Sequence, residues 1–281
     1  MTATIRSVDL PSGETIPAMG QGTWHFAERP GSRASEISSL RLGLDLGLNL
    51  IDTAEMYGDG AAEELVGEAI TGRRDEVFLV SKVLPHHATR RGTVLACEAS
   101  LRRLGTDRLD LYLLHWRGPI PLVETMAGFT DLIDAGLVRY WGVSNFDTAD
   151  MQELEMAPGG RAVATNQILY NLARRGPEYD LIPWCRAHGV PIMAYSPVEQ
   201  GRLLRHPALA DIARRHEATP AQVALAWVLR SEDINAIPRA GTAGHVRENA
   251  AALELQLTQA DMIILDGAFP PPRHKRPLEV L

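Results

Sequence analysis

Four titratable side chains stand at or just after the ends of short apolar segments: Asp52, Tyr57, Lys82 and His115, called the tetrad below. Their combined chemistry suits proton delivery to a carbonyl oxygen. A tyrosine is a weak acid, and a nearby ammonium such as Lys82 lowers the pKa of the phenol by stabilising its phenolate. A buried ammonium needs a carboxylate, which Asp52 offers, and a neutral His115 can hydrogen-bond the carbonyl oxygen. None of these groups supplies a hydride, so reduction requires a cofactor.

Three members of the tetrad also have a purely structural explanation. Asp52 and Glu55 have the spacing of a helix capping box, Lys82 is explained by a solvated strand end, and His115 by a hydrogen-bonded core histidine. Three successive predicted strands nevertheless place an acid, an amine and an imidazole at equivalent ends. Solubility alone does not require this, so the conjunction favours a catalytic interpretation.

Apolar segments of β character alternate with amphipathic segments along the chain. Buried strands are predicted at residues 77–81, 109–114, 138–143, 191–195 and 234–237. Between them, helices are predicted at residues 33–46, 93–104 and 120–135, where apolar side chains recur at steps of three and four. Gly47 and Gly136 follow two of these helices, where a left-handed glycine can end a helix.

The predicted strand ends recur at intervals of 22 to 44 residues, most of them close to 30, as eight βα units require. The predicted strand tips are Gly22, Asp52, Lys82, His115, Ser144, Asn166, Tyr195 and Arg239. This alternation predicts an α/β fold, a (β/α)8 TIM barrel, with an open doubly wound sheet as the alternative. The first 17 residues predict an N-terminal β-hairpin that closes the bottom of the barrel, and residues 269–281 predict an extended C-terminal tail. No linker composition interrupts residues 1–281, so a single domain is expected.

Composition and charge narrow the class of partner. The 281 residues are 45% hydrophobic and 22% charged, with a net charge of −7, which favours a folded protein without a nucleic-acid or anionic-membrane partner. Cys97 and Cys185 form neither a disulfide framework nor a metal motif, so no metal is expected. Residues 1–6 lack the apolar stretch of a signal peptide, and no apolar run is long enough to span a membrane. These features predict a cytoplasmic protein that acts on a small molecule.

Three other motifs are incomplete. Ser144 follows Gly142 after a strand, as in a hydrolase nucleophile elbow, but the closing glycine is missing. The glycines at 58 and 60 do not complete a dinucleotide-binding G-x-G-x-x-G motif, so no Rossmann domain is expected. His86 and His87 have no partners at metal-ligand spacing.

The chain resembles the aldo-keto reductase family over nearly its full length. The matching motifs, in order, are DTAEMYG at 52–58, SK at 81–82, LDLYLLHW at 109–116, GVSN at 142–145, NQ at 166–167, AYSP at 194–197 and REN at 247–249. Within the family it looks most like bacterial methylglyoxal and general aldehyde reductases, through GQGTW at 20–24 and YDLIPWC at 179–185. The resemblance implies a catalytic tetrad of Asp52, Tyr57, Lys82 and His115, with Tyr57 as general acid and hydride arriving from the nicotinamide C4.

The resemblance also implies a set of cofactor-binding residues. They are Gly22, Thr23, Trp24, Asp52, Ser144, Asn145, Gln167, Tyr195, Ser196, Pro197, Val198, Gln200, Gly201, Leu203, Ile237, Arg239, Thr242, His245, Glu248 and Asn249. In this set Ser144, Asn145 and Gln167 hydrogen-bond the nicotinamide carboxamide, and Tyr195 stacks under the ring. Residues 196–201 and Leu203 line the pyrophosphate.

The residues expected to bind the adenosine half of the cofactor depart from the common pattern of the family. Many relatives carry Lys-Ser where this chain has Arg239 and Ala240, and an arginine where it has His245. Arg239 still offers a permanent charge for a 2′-phosphate, whereas His245 is largely neutral at pH 7. We therefore expect NADPH as cofactor.

The expected substrate is a small aldehyde or ketone, such as methylglyoxal or an aromatic aldehyde. Trp24, Met56, Trp116 and His115 are expected to line its site, with Phe26 as a further candidate, and such a wall suits an uncharged carbonyl compound. The alternative function is a non-catalytic nicotinamide-binding regulatory module on the same barrel, which the complete tetrad disfavours. Homologous enzymes are often monomers, so a monomer is expected.

Overall fold

The computed structural model describes residues 6–281, and it begins with an antiparallel hairpin. Strands β1 (Ser7–Asp9) and β2 (Thr15–Pro17) pair so that Val8 lies opposite Ile16. Both side chains are buried. The predicted hairpin is confirmed from residue 7 onward, and its first five residues lie outside the described part of the chain.

Eight short parallel strands follow, adjacent in the sheet in their chain order. They are β3 (Gln21–Gly22), β4 (Leu50–Asp52), β5 (Phe78–Val83), β6 (Leu109–Leu114), β7 (Val138–Ser144), β8 (Asn166–Leu169), β9 (Ile192–Tyr195) and β10 (Ile234–Ala236). All six positions of β5 and of β6 are buried, because their inner faces fill the barrel and their outer faces meet helices. The apolar runs in the sequence reflect this burial on both faces.

The first and last strands of this sheet meet, which decides between a barrel and an open sheet. Isolated parallel bridges join Met19 to Ala236 and Gly22 to Arg239, and the Gly22 amide donates to the Pro238 carbonyl at 3.1 Å. A Cβ at Gly22 would lie 2.6 Å from the Ile237 carbonyl oxygen, so this close approach requires glycine. We call this junction the seam. The predicted TIM barrel is confirmed.

Ten α-helices within residues 6–281 cover the barrel. They are α1 (Arg33–Asp45), α2 (Ala61–Ile70), α3 (Arg90–Leu104), α4 (Leu122–Asp134), α5 (Thr148–Met156), α6 (Leu181–Ala187), α7 (Pro207–Arg215), α8 (Pro220–Val228), α9 (Ala243–Ala251) and α10 (Gln259–Ala268). Threonine side chains cap several of them, as Thr89 does for α3 and Thr242 for α9. Gly47 and Gly136 adopt positive φ just after α1 and α4, as predicted. In this part of the chain no helix combines the length and apolar character needed to cross a bilayer.

Most predicted boundaries differ from the observed ones by one to three residues, and two predicted strand tips are wrong. Arg239 lies beyond the end of β10, whose last residue is Ala236. The sequence predicts Asn166 as the C-terminal tip of its strand, but Asn166 is the first residue of β8, which ends at Leu169. The polar pair Asn166 and Gln167 interrupts the apolar pattern at the start of a short strand, and so it resembles a strand end. In the structure Gln167 lies opposite Ser144, the last residue of β7.

The hairpin lies at the N-terminal ends of the barrel strands. Glu14, between β1 and β2, accepts hydrogen bonds from Arg139 and from the Tyr140 hydroxyl, the latter at 2.6 Å, near the start of β7. Arg139 also donates to buried Asp110 at 2.9 Å. This ionic cluster fixes the hairpin at one end of the barrel, opposite the end at which Asp52, Lys82 and His115 stand.

Candidate active site

Lys82 is the centre of the tetrad geometry. Its ammonium lies 2.8 Å from Asp52 Oδ2, 2.8 Å from the Thr53 carbonyl oxygen and 3.1 Å from the Tyr57 hydroxyl. The side chain of Lys82 is fully buried and that of Asp52 is 3% exposed. Three neighbouring structural units thus bring a cation, an anion and a phenol into direct contact: β4, β5 and the 3-10 turn that begins at Tyr57.

Burial governs the protonation of this cluster. Burial lowers the pKa of Lys82, and the Asp52 carboxylate opposes that shift. Burial, reinforced by Asp52, raises the pKa of Tyr57 well above its ordinary value. The sequence predicts that Lys82 lowers the pKa of this phenol, and the structure gives the opposite direction. The reason is that burial disfavours the charged phenolate, and the nearby Asp52 carboxylate disfavours it further.

His115 completes the group from the end of β6. Its ring lies edge-on to the ring of Tyr57, with centroids 5.9 Å apart. Burial, and next the Lys82 ammonium, hold the pKa of His115 well below its usual range. The imidazole is therefore neutral at pH 7, as the proton-delivery argument requires. Its Nδ1 atom is buried and has no hydrogen-bond partner within residues 6–281, so a ring nitrogen remains to be satisfied by a bound molecule or water.

These pKa shifts predict a pH profile. A histidine of ordinary pKa gains a proton as the pH falls from about 8 to about 6, whereas His115 stays neutral because its pKa is depressed. Tyr57 stays protonated over the same range because its pKa is raised. We expect kcat/KM for carbonyl reduction to be constant from about pH 8 to about pH 6.

Initial-rate assays in buffers of constant ionic strength test this profile. A one-proton decrease centred near the ordinary histidine pKa of about 6.5 would show that His115 titrates normally and would contradict the burial argument.

A second hydrogen-bond network joins the tetrad to polar side chains at β7, β8 and β9. Gln167 donates from Nε2 to Asp52 Oδ1 at 2.8 Å. Asn145 donates from Nδ2 to the His115 carbonyl oxygen at 3.0 Å and accepts the Tyr195 hydroxyl at 2.8 Å. Asn145 has a φ of 58°, a conformation that asparagine tolerates better than most residues. Ser144 donates to the Gln167 carbonyl at 2.9 Å. The predicted carboxamide-binding residues therefore adjoin the tetrad.

The segment predicted to line the pyrophosphate follows β9 and holds an unusual backbone. Ser196, Glu199, Gln200 and Gly201 have positive φ angles. Buried Glu199 accepts hydrogen bonds from Asn171 and Arg174, at 2.8 and 2.9 Å, and from Arg202 at 2.9 Å. These contacts hold the strained segment in place after the C-terminal end of β9. The sequence placed Glu199 in this segment but gave no sign of its contacts with Asn171 and Arg174, which come from a separate loop. Pro197 and Leu203 are buried, Val198 is half-buried, and Gln200 is exposed.

The predicted adenosine end lies at the seam and at the start of α9. Arg239 is partly exposed, and Thr242 accepts the His245 amide at 3.4 Å to cap the helix. His245 is exposed, Glu248 is half-buried and Asn249 is buried. On the other side of the seam, Gly22 precedes Thr23, whose hydroxyl donates to the Asp52 carbonyl at 2.9 Å, and Ile237 is buried.

These groups fit a nicotinamide dinucleotide. Amide and hydroxyl groups adjoin the tetrad, where a carboxamide needs them, and a guanidinium stands beside a helix N-terminus, where a phosphate binds well. The unpartnered His115 nitrogen belongs to the same group of side chains, beside the Tyr57 ring.

Of the residues predicted to line the substrate site, Trp116 contacts the tetrad and Phe26 is excluded from the site. Trp116 packs against His115 with ring centroids 4.9 Å apart, Trp24 is half-buried, and Met56 is exposed. Phe26 is fully buried and lies under Arg239, 5.1 Å from the guanidinium carbon, so it cannot line the substrate site.

The C-terminal tail also reaches this face, as the resemblance implies by counting the tail among the segments that tune specificity. It is extended, as predicted, and the amide of Leu281 lies 3.4 Å from the Tyr195 hydroxyl. Glu279 pairs with Arg174, which holds Glu199. Lys275 pairs with Asp180 at 3.0 Å. The tail therefore contacts both the Tyr195 network and the segment after β9.

The barrel and this site together define a candidate carbonyl-reducing oxidoreductase. Comparison with known proteins gives the family: the profile of the Aldo/keto reductase family matches residues 18–269. The chain belongs to the aldo/keto reductase family.

Individual relatives agree over almost the whole chain. Methylglyoxal reductase YeaE of Escherichia coli (strain K12) is 53% identical over 281 residues, covering 98% of this chain and 99% of its own. An aldo/keto reductase from Klebsiella pneumoniae, solved in complex with NADP and acetate, is 49% identical with a TM-score of 0.96, covering 99% of this chain and 100% of its own. A second structure from the same organism, in complex with NADPH, has the same identity and coverage and a TM-score of 0.97.

Proposed function

We propose that this protein is an NADPH-dependent reductase of small aldehydes and ketones, with Tyr57 as the general acid. The observation that carries the proposal is the contact of the Lys82 ammonium with both Asp52, at 2.8 Å, and the Tyr57 hydroxyl, at 3.1 Å. The whole chain acts as one catalytic domain. A cytoplasmic location and a monomeric state stay predictions from the sequence.

In the proposed mechanism, the reduced nicotinamide supplies the hydride that the side chains lack. His115, held neutral by burial, donates a hydrogen bond to the substrate carbonyl oxygen and orients it. Tyr57 transfers its hydroxyl proton to that oxygen as negative charge develops there. Lys82 stabilises the resulting phenolate, and Asp52 keeps Lys82 charged in a site that excludes water. The products are an alcohol and the oxidised cofactor.

The proposed binding of the cofactor uses the two networks described above. Ser144, Asn145 and Gln167 hold the carboxamide, and Tyr195 supports the ring while its hydroxyl is fixed on Asn145. Arg239 contacts the 2′-phosphate that distinguishes NADPH from NADH. The resemblance to NADPH-bound relatives supports this assignment.

Methylglyoxal is the first substrate to test, because a relative of 53% identity is named as a methylglyoxal reductase. Trp24, Met56 and Trp116, the residues expected to line the substrate site, are apolar, which suits uncharged carbonyl compounds. Oxidation of NADPH should be followed with methylglyoxal, 4-nitrobenzaldehyde and pyridoxal. Tight retention of NADPH without turnover of any of them would instead favour the non-catalytic regulatory module.

The cofactor assignment makes its own prediction. Arg239→Ala should weaken NADPH binding by about tenfold or more and change NADH binding by less than about twofold, because only NADPH carries the 2′-phosphate. Titration of tryptophan fluorescence gives both dissociation constants. Equal losses for the two cofactors would place the 2′-phosphate elsewhere.

A further inference from the structure

A buried carboxylate lies beside the guanidinium assigned to the 2′-phosphate. Glu36 lies in the first turn of α1, and its side chain is 2% exposed. Its Oε2 atom accepts the Ala27 amide at 3.0 Å, and its Oε1 atom lies 3.5 Å from Arg239 Nη2. Glu36 is therefore fixed on the loop after β3 through one oxygen and faces Arg239 with the other.

Arg239 itself is held loosely. Its shortest polar contacts within residues 6–281 are the two at 3.5 Å, to Glu36 Oε1 and to the His25 carbonyl oxygen. Its guanidinium lies over the Phe26 ring, and 35% of the side chain is exposed. Other arginines of this protein make contacts below 3 Å, such as Arg186 with Asp233. Arg239 has hydrogen-bonding capacity left for a ligand.

Burial strengthens the electrostatic effect of the Glu36 carboxylate on an anion that binds at Arg239. A carboxylate removed from water is poorly screened, so it offsets the positive potential of Arg239 and repels an approaching phosphate. Glu28, on the same loop, is also close in sequence to Ala27, but it is exposed and pairs with His25 at 2.6 Å. Solvent screens Glu28, so the two acids differ in their expected effect on a bound anion.

We propose that Glu36 determines how strongly this reductase prefers NADPH to NADH, by competing with the 2′-phosphate for Arg239. When Arg239 binds the phosphate, the Glu36 carboxylate still draws on the same guanidinium charge and remains near the negatively charged phosphate. The wild-type protein therefore binds NADPH less tightly than Arg239 alone would allow. This inference rests on the proposed function, because it takes Arg239 as the 2′-phosphate residue.

The test is the pair of dissociation constants of Glu36→Gln, measured by fluorescence titration without substrate. Glutamine can keep the bond to the Ala27 amide while removing the charge. We expect Kd for NADPH to fall by about tenfold and Kd for NADH to change by less than about twofold. Glu28→Gln removes the same charge from the same loop in solvent, and it should leave the NADPH to NADH ratio within about twofold of the wild type.

A combined variant shows whether the effect passes through Arg239. In an Arg239→Ala background, Glu36→Gln should no longer change the ratio of the two constants by more than about twofold. If Glu36→Gln does not fold, Glu36→Asp withdraws the carboxylate by one methylene, and a partial gain for NADPH alone is expected.

Three outcomes would overturn the inference while leaving the proposed function intact. The first is weaker binding of NADPH in Glu36→Gln, which would make Glu36 a positioning residue. The second is an equal shift in Kd for both cofactors, and the third is no shift in Kd for either. Failure of the proposed cofactor site looks different, because Arg239→Ala would then leave NADPH binding unchanged.

Discussion

Tyr57→Phe is expected to lower kcat for NADPH-dependent carbonyl reduction by about 10³-fold, with Kd for NADPH changed by less than about twofold. The substitution removes only the hydroxyl that contacts Lys82 at 3.1 Å and keeps the ring that packs edge-on against His115. Without that hydroxyl, no acid stands at the end of the Asp52–Lys82 pair to protonate the carbonyl oxygen. Single-turnover kinetics with saturating NADPH, together with a binding titration, separate the two effects.

Tyr112 gives a matched control for this variant. It is a buried tyrosine of β6, but its ring packs against Phe129 of α4, outside the barrel interior. Tyr112→Phe should leave kcat unchanged. If Tyr57→Phe retained wild-type kcat, the general acid would have to be another group and the proposed mechanism would fail.

Lys82→Met is expected to damage stability and catalysis together. The variant leaves the Asp52 carboxylate buried without its cation, which should lower the free energy of unfolding by about 3–5 kcal/mol. It also removes the charge that stabilises the Tyr57 phenolate, so kcat should fall by about 10³-fold. Urea denaturation and steady-state kinetics measure the two losses separately.

The double variant Asp52→Asn with Lys82→Met distinguishes the two roles of the ion pair. Removing both charges should restore most of the lost stability, since no uncompensated buried charge remains, and the introduced asparagine can still accept the hydrogen bond from Gln167. Activity should not return. A double variant that regained both stability and kcat would show that the pair serves the fold alone.

The sequence predicted those parts of the site that depend on strand ends. Asp52, Lys82 and His115 end three apolar segments, and in a barrel of parallel strands the same ends of all strands face one side. Boundaries were less accurate where polar residues belong to a strand, as in β5, which continues through Ser81 and Lys82 to Val83. The start of α3 was missed for a similar reason, because its first turn is polar and is marked only by the Thr89 cap.

Other features depend on distances that no sequence pattern carries. The raised pKa of Tyr57 follows from burial and from the nearby Asp52 carboxylate, and both require coordinates. Glu36 and Arg239 are about 200 positions apart in the chain and meet only because the barrel closes. The contact of the tail with Tyr195 is equally invisible in a segment rich in proline and basic residues.

The seam has a consequence for the motions of the barrel. Strand β3 is only two residues long, and it joins β10 through isolated bridges, whereas β5 and β6 share a continuous ladder. The free energy of local opening should therefore be lowest at the seam, and transient separation of strands should begin there. The proposed dinucleotide contacts run along both margins, from Thr23 and Trp24 on one side to Arg239 on the other. A bound dinucleotide would connect the two margins of the seam. Coenzyme binding and stabilisation of the barrel against local opening are therefore thermodynamically linked.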